Sequence, residues 1–566
     1  MPTAPIAWFR AALTEREARW SQLAARVAFA AFLISLLTGL LLPIYTDEIG
    51  WRVQLRAGID GGVDRMLSDI CGPNTVVAPP LFMMPFRYAS GWLNLAFPDP
   101  LYVRLLSTSL AVGWAFLLRA LIGRIVTDTT DRARLTALAF ALLGMGVLPI
   151  MLVMGRPDQV ILLSMTGALM VTAIARRSTG WSPHVAWLWP WLIVALALTA
   201  ISWHLKGILM TPLFLTCVGF AGTSRQSLLP RVLALLVLLG FAAQGANYWV
   251  GRFRCPDDPV MAGMLNKENI AAALEAGGDW RVLVPEAIRR AHPATYLALA
   301  ESRPKMMSDW LPRGRIGRPG MIWRFTIMRS AWNLAIGTGG LCLIFALGQC
   351  WRRRRADFSV AAPLVLAGLV LVWGVSQRVK NDYEIMIVLP MMALFCVYAL
   401  STVGWPGLRG RLLGLAAMVA VAASLAGQVD IARRYLPLLA RGAQRPGYVA
   451  GQDASMSPYG YSRIRSQIIA TAHLCGIGLH GRAQHPVIDD VTYFALEDSW
   501  QPMHYLAVLR QWRGRITDPL AYMRSRGSEG MVLGCHHIWP SLLGQATRNG
   551  AFCCIGTGAT AGSDRT

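Results

Sequence analysis

Lysine is nearly absent from this chain, and charged residues of every kind are scarce. The lysines are Lys206, Lys267, Lys305 and Lys380. Charged residues make up 15% of the sequence, compared with about 25% in ordinary soluble domains. The net charge is nevertheless +23, so almost all of the positive charge is arginine. Scarce charge and a hydrophobic content of 54% exclude an ordinary soluble protein and indicate a polytopic membrane protein.

Sequence patterns of several other protein classes are also missing. The chain has no Cys-x-x-Cys pair, which disfavours a zinc site, and its C-terminal part has neither a phosphate-binding glycine motif nor a nucleophile elbow. No compact basic domain stands apart from the apolar runs, which excludes nucleic acid as a partner. No Ala-x-Ala cleavage site follows the first apolar run, 25–43, so we expect a retained helix rather than a signal peptide.

Apolar runs long enough to span a membrane dominate what remains. They cover about 25–43, 104–123, 135–154, 159–175, 185–201, 207–223, 231–249, 328–350, 359–375, 385–403 and 411–428. Arginines cluster in segment 1–24 and in alternate short connections, which the positive-inside rule places in the cytoplasm. The predicted fold is therefore a membrane all-α domain of about 11 transmembrane helices over residues 25–428, with a cytoplasmic N-terminal segment 1–24.

The remaining connections face outward in this topology. They comprise the long loops 44–103 and 250–327, the short loops 155–158, 202–206 and 376–384, and the tail 429–566. The tail alternates helical patterns at 463–476, 502–513, 517–526 and 540–548 with strand patterns at 486–494, 530–535 and 551–556. Alternation of this kind predicts a small extracytoplasmic α/β domain with a parallel sheet. We expect it to bind an acceptor or to serve a structural role.

Three carboxylates lie at outward helix ends. Asp47 and Glu48 follow the first span, and Asp158 ends the turn that begins at Arg156. A positioned carboxylate can act as general base on a hydroxyl, and a second one can orient a substrate or a cation. A helix cap at 47–48 and a local ion pair in the turn are the structural alternatives. Charge at membrane depth is costly and usually functional, which favours the catalytic interpretation. The structural alternatives nevertheless stay open at this point.

Four cations occupy short outward loops, where the positive-inside rule disfavours them: Arg156, Lys206, Arg378 and Lys380. Binding of an anion explains their position, and a phosphate carried on a membrane lipid is the anion that such a surface would meet. A lysine that snorkels beside an interfacial histidine is the structural alternative at 204–206.

The cysteines allow two further expectations. Cys71 and Cys255 both fall in outward loops, so a disulfide between them is expected if that side is oxidising. Cys535-His536-His537 contains metal-ligand residue types, but without a Cys-x-x-Cys pair in the chain it does not predict a metal site.

Together these motifs resemble the GT-C glycosyltransferases, integral-membrane enzymes that use lipid-phosphate-linked sugars. The resemblance covers about 20–566 and rests on Asp47-Glu48, on Arg156-Pro157-Asp158, on basic residues at later outward helix ends and on the soluble tail. The protein O-mannosyltransferases, the lipid A aminoarabinose transferases and the mycobacterial arabinofuranosyltransferases are the groups it resembles most. The WWD-type motif of the oligosaccharyltransferases is missing.

The resemblance implies an inverting transfer of a sugar from a polyprenyl-phosphate donor to a cell-envelope acceptor hydroxyl, on a glycan, glycolipid or protein, at the outer face of a bacterial inner membrane. It implies membrane lipids as partners and no cofactor, with a divalent metal left open because metal dependence varies across the class. By the resemblance the base is Asp47, Glu48 and Asp158 shape the catalytic site, the donor phosphate is bound by Arg156, His204, Lys206, Arg378 and Lys380, and the substrate contacts Tyr383 and Glu384.

Two other functions remain as alternatives. A ligase for lipid-linked glycans, similar to the O-antigen ligases, would rely on Arg and His in a large outward loop and would not need an acidic pair after the first helix. A lipid or glycan transporter would favour internal repeats and polar residues at mid-membrane, whereas the charges here lie at outward helix ends.

Overall fold

The structure is a computed structural model of the 566-residue chain. It describes residues 4–59, 79–177, 183–222, 228–252, 292, 295–296, 318–354, 356–376, 382–405, 407–443, 455–456, 458–478, 486–496, 504–505, 516–525, 527–528 and 530–556. Of the predicted site residues, Arg378 and Lys380 lie outside the described residues, and so does the predicted disulfide between Cys71 and Cys255.

Helices make up most of the described chain. Up to residue 177 they are α1 Ala4–Thr38, α2 Thr46–Ile59, α3 Met84–Leu95, α4 Pro100–Ile125, α5 Thr129–Gly144, α6 Leu148–Met151 and α7 Asp158–Arg177. The next are α8 Pro183–Trp203, α9 Leu205–Leu209, α10 Thr211–Phe220, α11 Leu228–Arg252, α12 Arg318–Arg353, α13 Phe358–Ser376, α14 Ile385–Ser401 and α15 Leu408–Ala443. The C-terminal domain adds α16 Tyr461–Leu474, α17 Tyr493–Leu496 and α18 Pro519–Ser525.

Each predicted apolar run corresponds to a helix or to a broken pair of helices. Run 135–154 divides into α5 and α6, and run 207–223 overlaps α9 and α10. Within the described residues, six helices are long and apolar enough to cross a membrane, namely α1, α4, α7, α11, α12 and α15. Helices α8, α10, α13 and α14 are apolar but shorter. The full count of about 11 membrane crossings stays a prediction.

The centre of the helical domain is α14, whose residues 385–400 are all buried. It packs against α12, α13 and α5, while α1 and α15 enclose α5 from the other side. A helix that is apolar on every face is stable only when other helices or lipid surround it. Helices α4 and α5 begin at aspartate caps, since Asp99 accepts from the Leu101 amide and Asp128 from the Thr130 amide.

Two short strands, β1 Ile44–Tyr45 and β2 Ser455–Met456, pair with each other, and the C-terminal domain also contains a separate five-stranded sheet. Its strands are β3 Val487–Ile488, β4 His504–Tyr505, β5 Gly530–Gly534, β6 Thr547–Asn549 and β7 Phe552–Gly556, in the order β4-β3-β5-β7-β6. Strand β3 runs parallel to β4 and β5, but β7 runs antiparallel to β5 and β6. The predicted parallel sheet is therefore wrong for its second half, because β6 and β7 form a hairpin.

Three tail elements differ from the sequence-based expectation. The strand expected at 486–494 ends after Ile488, because the Asp489 carboxylate accepts from the Val491 and Thr492 amides and turns the chain into α17. The helix expected at 540–548 is a 3₁₀ turn, Pro540–Leu542, followed by β6. The helix expected at 502–513 contains β4, and its remainder lies largely outside the described residues.

Two disulfides cross-link this domain. One joins Cys475 to Cys554 and the other joins Cys535 to Cys553. Cys535 is therefore not a thiolate available to a metal ion, and the His537 ring lies 2.6 Å from an Asp489 oxygen. The sequence did not indicate these pairings, because connectivity among several cysteines depends on the fold.

Candidate active site at the outward helix ends

Four separate chain segments bring the predicted charged motifs together. Helix α2 begins one residue before Asp47, α7 begins at Asp158 and α9 begins one residue before Lys206. A 3₁₀ turn, Asp382–Glu384, leads into α14. Because these are helix ends from one side of the predicted membrane, their polar side chains meet without entering the apolar core.

Five charged side chains form a chain of alternating sign. Arg156 donates to Asp47 Oδ2 through Nη1 and to Asp158 Oδ2 through Nε, the latter over 3.0 Å. Lys206 Nζ donates to Asp158 Oδ1 over 2.7 Å and lies 3.4 Å from Glu384 Oε2. Each cation therefore contacts two carboxylates, and this cluster of Asp47, Arg156, Asp158, Lys206 and Glu384 holds one more negative charge than positive. We call it the charged cluster.

Exposure distinguishes the members of the charged cluster. The Asp158 side chain is fully buried and those of Arg156, Lys206 and Glu384 are nearly so, whereas 36% of the Asp47 side chain is exposed. Burial by itself lowers the pKa of Arg156, but Asp47 and Asp158 outweigh it and leave that pKa well above its ordinary value. The cluster thus presents one accessible carboxylate, supported by a permanently charged guanidinium.

Aromatic rings cover both cations. The Arg156 guanidinium carbon lies 4.0 Å from the centre of the Tyr383 ring, and Lys206 Nζ lies 5.5 Å from the same centre. The Trp373 ring centre is 5.7 Å from Lys206 Nζ. Burial, and after it Asp47, raises the pKa of Tyr383, so its hydroxyl remains protonated. Rings at these distances favour a cation electrostatically without neutralising it.

Glu48 lies apart from the charged cluster in a second buried ion pair. Its Oε2 accepts from Arg104 Nη2 over 2.8 Å, and its Oε1 accepts from the Gly155 amide over 2.5 Å. Arg104 also donates to the carbonyl oxygens of Val153 and Pro43, over 2.6 and 2.7 Å. The Glu48–Arg104 pair therefore joins the turn that carries Asp47 to the turn that carries Arg156.

Gly155 is required by this close approach. A Cβ on residue 155 would lie 2.5 Å from Val103 Cγ1 and 3.2 Å from Glu48 Oε1. A side chain there would force Val103, Glu48 or the Arg156 turn itself to shift. Reasoning from the sequence missed Arg104, although an arginine at the start of an apolar run was a signal available to it.

His204 holds the first turn of α9. Its Nδ1 accepts from the Lys206 amide over 3.1 Å, which makes the ring the N-cap of that helix. Burial, and after it the Lys206 charge, lowers the pKa of His204 to about 3, so the ring is neutral. With Nδ1 accepting, the ring proton lies on Nε2. The centre of the imidazole ring lies 6.0 Å from that of Trp51 and 5.9 Å from that of Trp249.

Among comparisons with known proteins, the one with solved structures found similar chains. No protein-family model matches the chain, and no curated protein matches it. Among solved structures the chain is similar to ArnT from Cupriavidus metallidurans bound to undecaprenyl phosphate, with 14% identity over 95% of this chain and 98% of that one and a TM-score of 0.35. ArnT is a GT-C glycosyltransferase, the class that the sequence motifs resemble.

Proposed function

We propose that the protein transfers a sugar from a polyprenyl-phosphate donor to a hydroxyl of a cell-envelope acceptor, with inversion at the anomeric carbon. The observation that carries the proposal is the charged cluster, in which the partly exposed Asp47 is bonded to Arg156. A base and an anion-binding cation are the two groups that this reaction needs side by side.

The donor phosphate would bind to Arg156 and Lys206. Both cations already contact carboxylates, so an arriving phosphate has to compete with the two ends of the cluster, Asp47 and Glu384. These are the replaceable partners, because Asp158 lies between the cations and bonds to both. Phosphate binding to Arg156 would therefore release Asp47 at the moment when the donor is in place.

The reaction balances with Asp47 as the proton acceptor. The acceptor oxygen attacks the anomeric carbon and loses its proton to Asp47, while the bond from that carbon to the phosphate oxygen breaks. The electron pair leaves with the polyprenyl phosphate, whose charge Arg156 and Lys206 stabilise. Glu384 Oε2 is buried and makes no hydrogen bond within the described part of the chain. It is thus available to accept a hydrogen bond from a sugar hydroxyl.

We assign the reaction to the outer face of a bacterial inner membrane, with the N-terminus in the cytoplasm. The two disulfides support this orientation, because disulfides form and persist in oxidising compartments. The arginine-rich connections then lie on the opposite side, in agreement with the positive-inside rule.

Sugar transfer in membranes tests the proposal. Radiolabelled polyprenyl-phosphate sugars serve as the donor pool and cell-envelope extract as the acceptor, with wild type compared with Asp47→Asn and Lys206→Ala. We expect Asp47→Asn to reduce transfer by about 10²–10⁴-fold, the usual contribution of a general base, and Lys206→Ala to weaken use of the donor. Asp357→Asn is the matched control, because Asp357 pairs with Arg176 in a cytoplasmic connection.

Equal transfer by Asp47→Asn and wild type would refute the assignment of the base. Movement of labelled lipid across the membrane without transfer to any acceptor would instead support a transporter. Transfer that requires a pyrophosphate-linked glycan would support a ligase.

A further inference from the structure

We infer that the C-terminal domain positions Asp47, and that one of its two disulfides, Cys475–Cys554, serves this purpose while the other does not. The inference rests on the proposed function for what Asp47 does. The contacts that position the segment carrying Asp47 are independent of that function.

Backbone hydrogen bonds tie the domain to the residues just before Asp47. Strand β1, Ile44–Tyr45, pairs antiparallel with β2, Ser455–Met456, with Ile44 opposite Met456 and Tyr45 opposite Ser455. The Tyr459 hydroxyl donates to the Leu40 carbonyl over 3.0 Å. Strand pairing fixes the register of a segment, because a shift by one residue would turn every side chain to the other face.

Apolar packing extends the contact along α2. Ile44, Ile49 and Val53 are buried in one cluster with Ile464 of α16 and Phe494 of α17. Ile49 and Val53 are four residues apart and lie on one face of α2. The base proposed for the reaction is therefore carried by a helix that packs one of its buried faces against the C-terminal domain.

Arg52 adds a polar bridge on the same helix. Its guanidinium donates to the Asn94 carbonyl and, over 2.7 Å, to the Phe97 carbonyl. Its guanidinium carbon also lies 5.3 Å from the centre of the Phe494 ring. Arg52 thus holds α2 between α3 and the C-terminal domain.

The two disulfides lie on opposite faces of the sheet. Cys553 and Cys554 are neighbours in β7, so their side chains point to opposite sides. Cys554 is buried in the cluster that contains Ile44, Ile49 and Val53, and its partner Cys475 packs against that cluster. Cys553 is buried in the other cluster, with Met523 and Trp539, and its partner Cys535 packs there.

This arrangement makes the Cys475–Cys554 bond a positioning element. It joins Cys475, at the end of α16, to Cys554 of β7. The bond therefore lies at the apolar cluster that packs against α2. Neither cysteine belongs to the charged cluster, so loss of their bond would act on the base through the placement of α2 and not by direct contact. A shift of about 1 Å in a reacting group can reduce a rate by on the order of 10²-fold.

Two double variants of the full-length protein in membranes test the inference. Cys475→Ala with Cys554→Ala removes the disulfide facing α2, and Cys535→Ala with Cys553→Ala removes the disulfide facing away as a matched control. The first readout is amide hydrogen exchange of residues 44–53, which does not depend on activity. We expect faster exchange in the first double variant and exchange equal to wild type in the second.

The second readout is sugar transfer with binding of polyprenyl phosphate measured separately. We expect the first double variant to lose about tenfold or more in kcat, without any loss of affinity for polyprenyl phosphate. The control should keep both. Ile49→Val, which removes one methylene from the same contact, should lower kcat in the same direction while keeping the domain folded.

Unchanged exchange of residues 44–53 in the first double variant would overturn the inference, whatever the transfer activity. Equal effects of the two double variants on exchange would also overturn it, since the disulfides would then only stabilise the domain. Faster exchange restricted to the first variant, in a protein without transfer activity, would support the positioning and refute the proposed function alone.

Discussion

Two of the places where the protein buries charge, the C-terminal domain and the charged cluster, treat it in opposite ways. In the C-terminal domain, the Asp489 carboxylate accepts from the amides of Val491, Thr492 and Gly534, from the Thr492 hydroxyl, and contacts His537 Nδ1. In the charged cluster, each cation is shared between carboxylates, one carboxylate is partly exposed and one buried oxygen has no hydrogen bond in the described structure.

This difference separates a structural charge from a functional one. A buried charge that is completely hydrogen-bonded fixes a turn and has no capacity left for a ligand. A cluster with one excess negative charge and an exposed end is costly to hold together and can exchange one of its partners for a ligand. The comparison therefore predicts that equivalent substitutions will separate stability from anion binding.

The largest effect is expected for Asp158→Asn. Asp158 bonds to both Arg156 and Lys206, so its neutralisation leaves two buried cations short of a partner. We expect a loss of about 3 kcal/mol in stability, as when one partner of a buried ion pair is removed. We also expect polyprenyl phosphate to bind more tightly by roughly tenfold, or about 1.4 kcal/mol. Thermal unfolding in detergent and lipid-phosphate binding measure the two quantities.

Asp131→Asn is the control for this prediction. Asp131 also pairs with a buried arginine, Arg134, but in the described structure Asp131 is partly exposed and pairs with that one cation, whereas the fully buried Asp158 pairs with two. We expect a smaller loss of stability and no change in phosphate affinity. Weaker phosphate binding by Asp158→Asn would mean that Asp158 organises the anion site rather than competing with it.

The difference between a fixed and an exchangeable charge was only partly predictable from the sequence. Apolar length predicted the helices, because the hydrocarbon thickness sets the length of a span. Arg156 and Lys206 stood out because the positive-inside rule disfavours cations in short loops predicted to face outward. Asp47 and Asp158 stood out because carboxylates at such helix ends can act as general bases. The sequence did not predict which carboxylate pairs with which cation in the charged cluster, since the pairing depends on which helix ends become neighbours in space.

The sheet and the Glu48–Arg104 ion pair were also not predictable from the sequence. Strands of two residues, such as β3, carry too little periodicity to reveal their neighbours, and the direction of β7 depends on a hairpin that resembled a helix in sequence. Arg104 was hidden at the start of an apolar run, and its partner Glu48 is 56 residues away. Contacts across such separations are set by packing and not by local pattern.

A smaller effect is expected for Asp489→Asn, the equivalent substitution in the other region. The asparagine side chain keeps one acceptor oxygen, but it lacks the negative charge and the second oxygen, Oδ2, which accepts from the Gly534 amide and contacts His537 Nδ1. We expect the C-terminal domain to lose about 2 kcal/mol of stability, without any change in binding of polyprenyl phosphate. Proteolysis of the domain as a function of temperature measures the first quantity.

Acid provides the companion measurement. Burial alone raises the pKa of Asp489, but His537 and the amides of Gly534 and Thr492 outweigh it and hold that pKa below its usual range. The resulting stabilisation is complete above the ordinary aspartate pKa of about 3.9 and is lost as the pH falls through the lower folded value. The domain of Asp489→Asn should therefore lose less stability than wild type in this acid range. An acid transition identical in both would show that another group controls it.

The smallest effect is expected for substitutions of His204. They test whether the charged cluster depends on the cap of α9, the helix that carries Lys206. The ring accepts from the Lys206 amide and is neutral, so its contribution is a cap rather than a charge. His204→Ala should cost about 1 kcal/mol of stability and weaken donor binding, because the turn that carries Lys206 is loosened. His204→Asn can accept the same hydrogen bond and should restore most of both. If Asn restored stability but not donor binding, the imidazole Nε2 proton would be needed at the phosphate, and His204 would belong to the exchangeable region rather than to the fixed one.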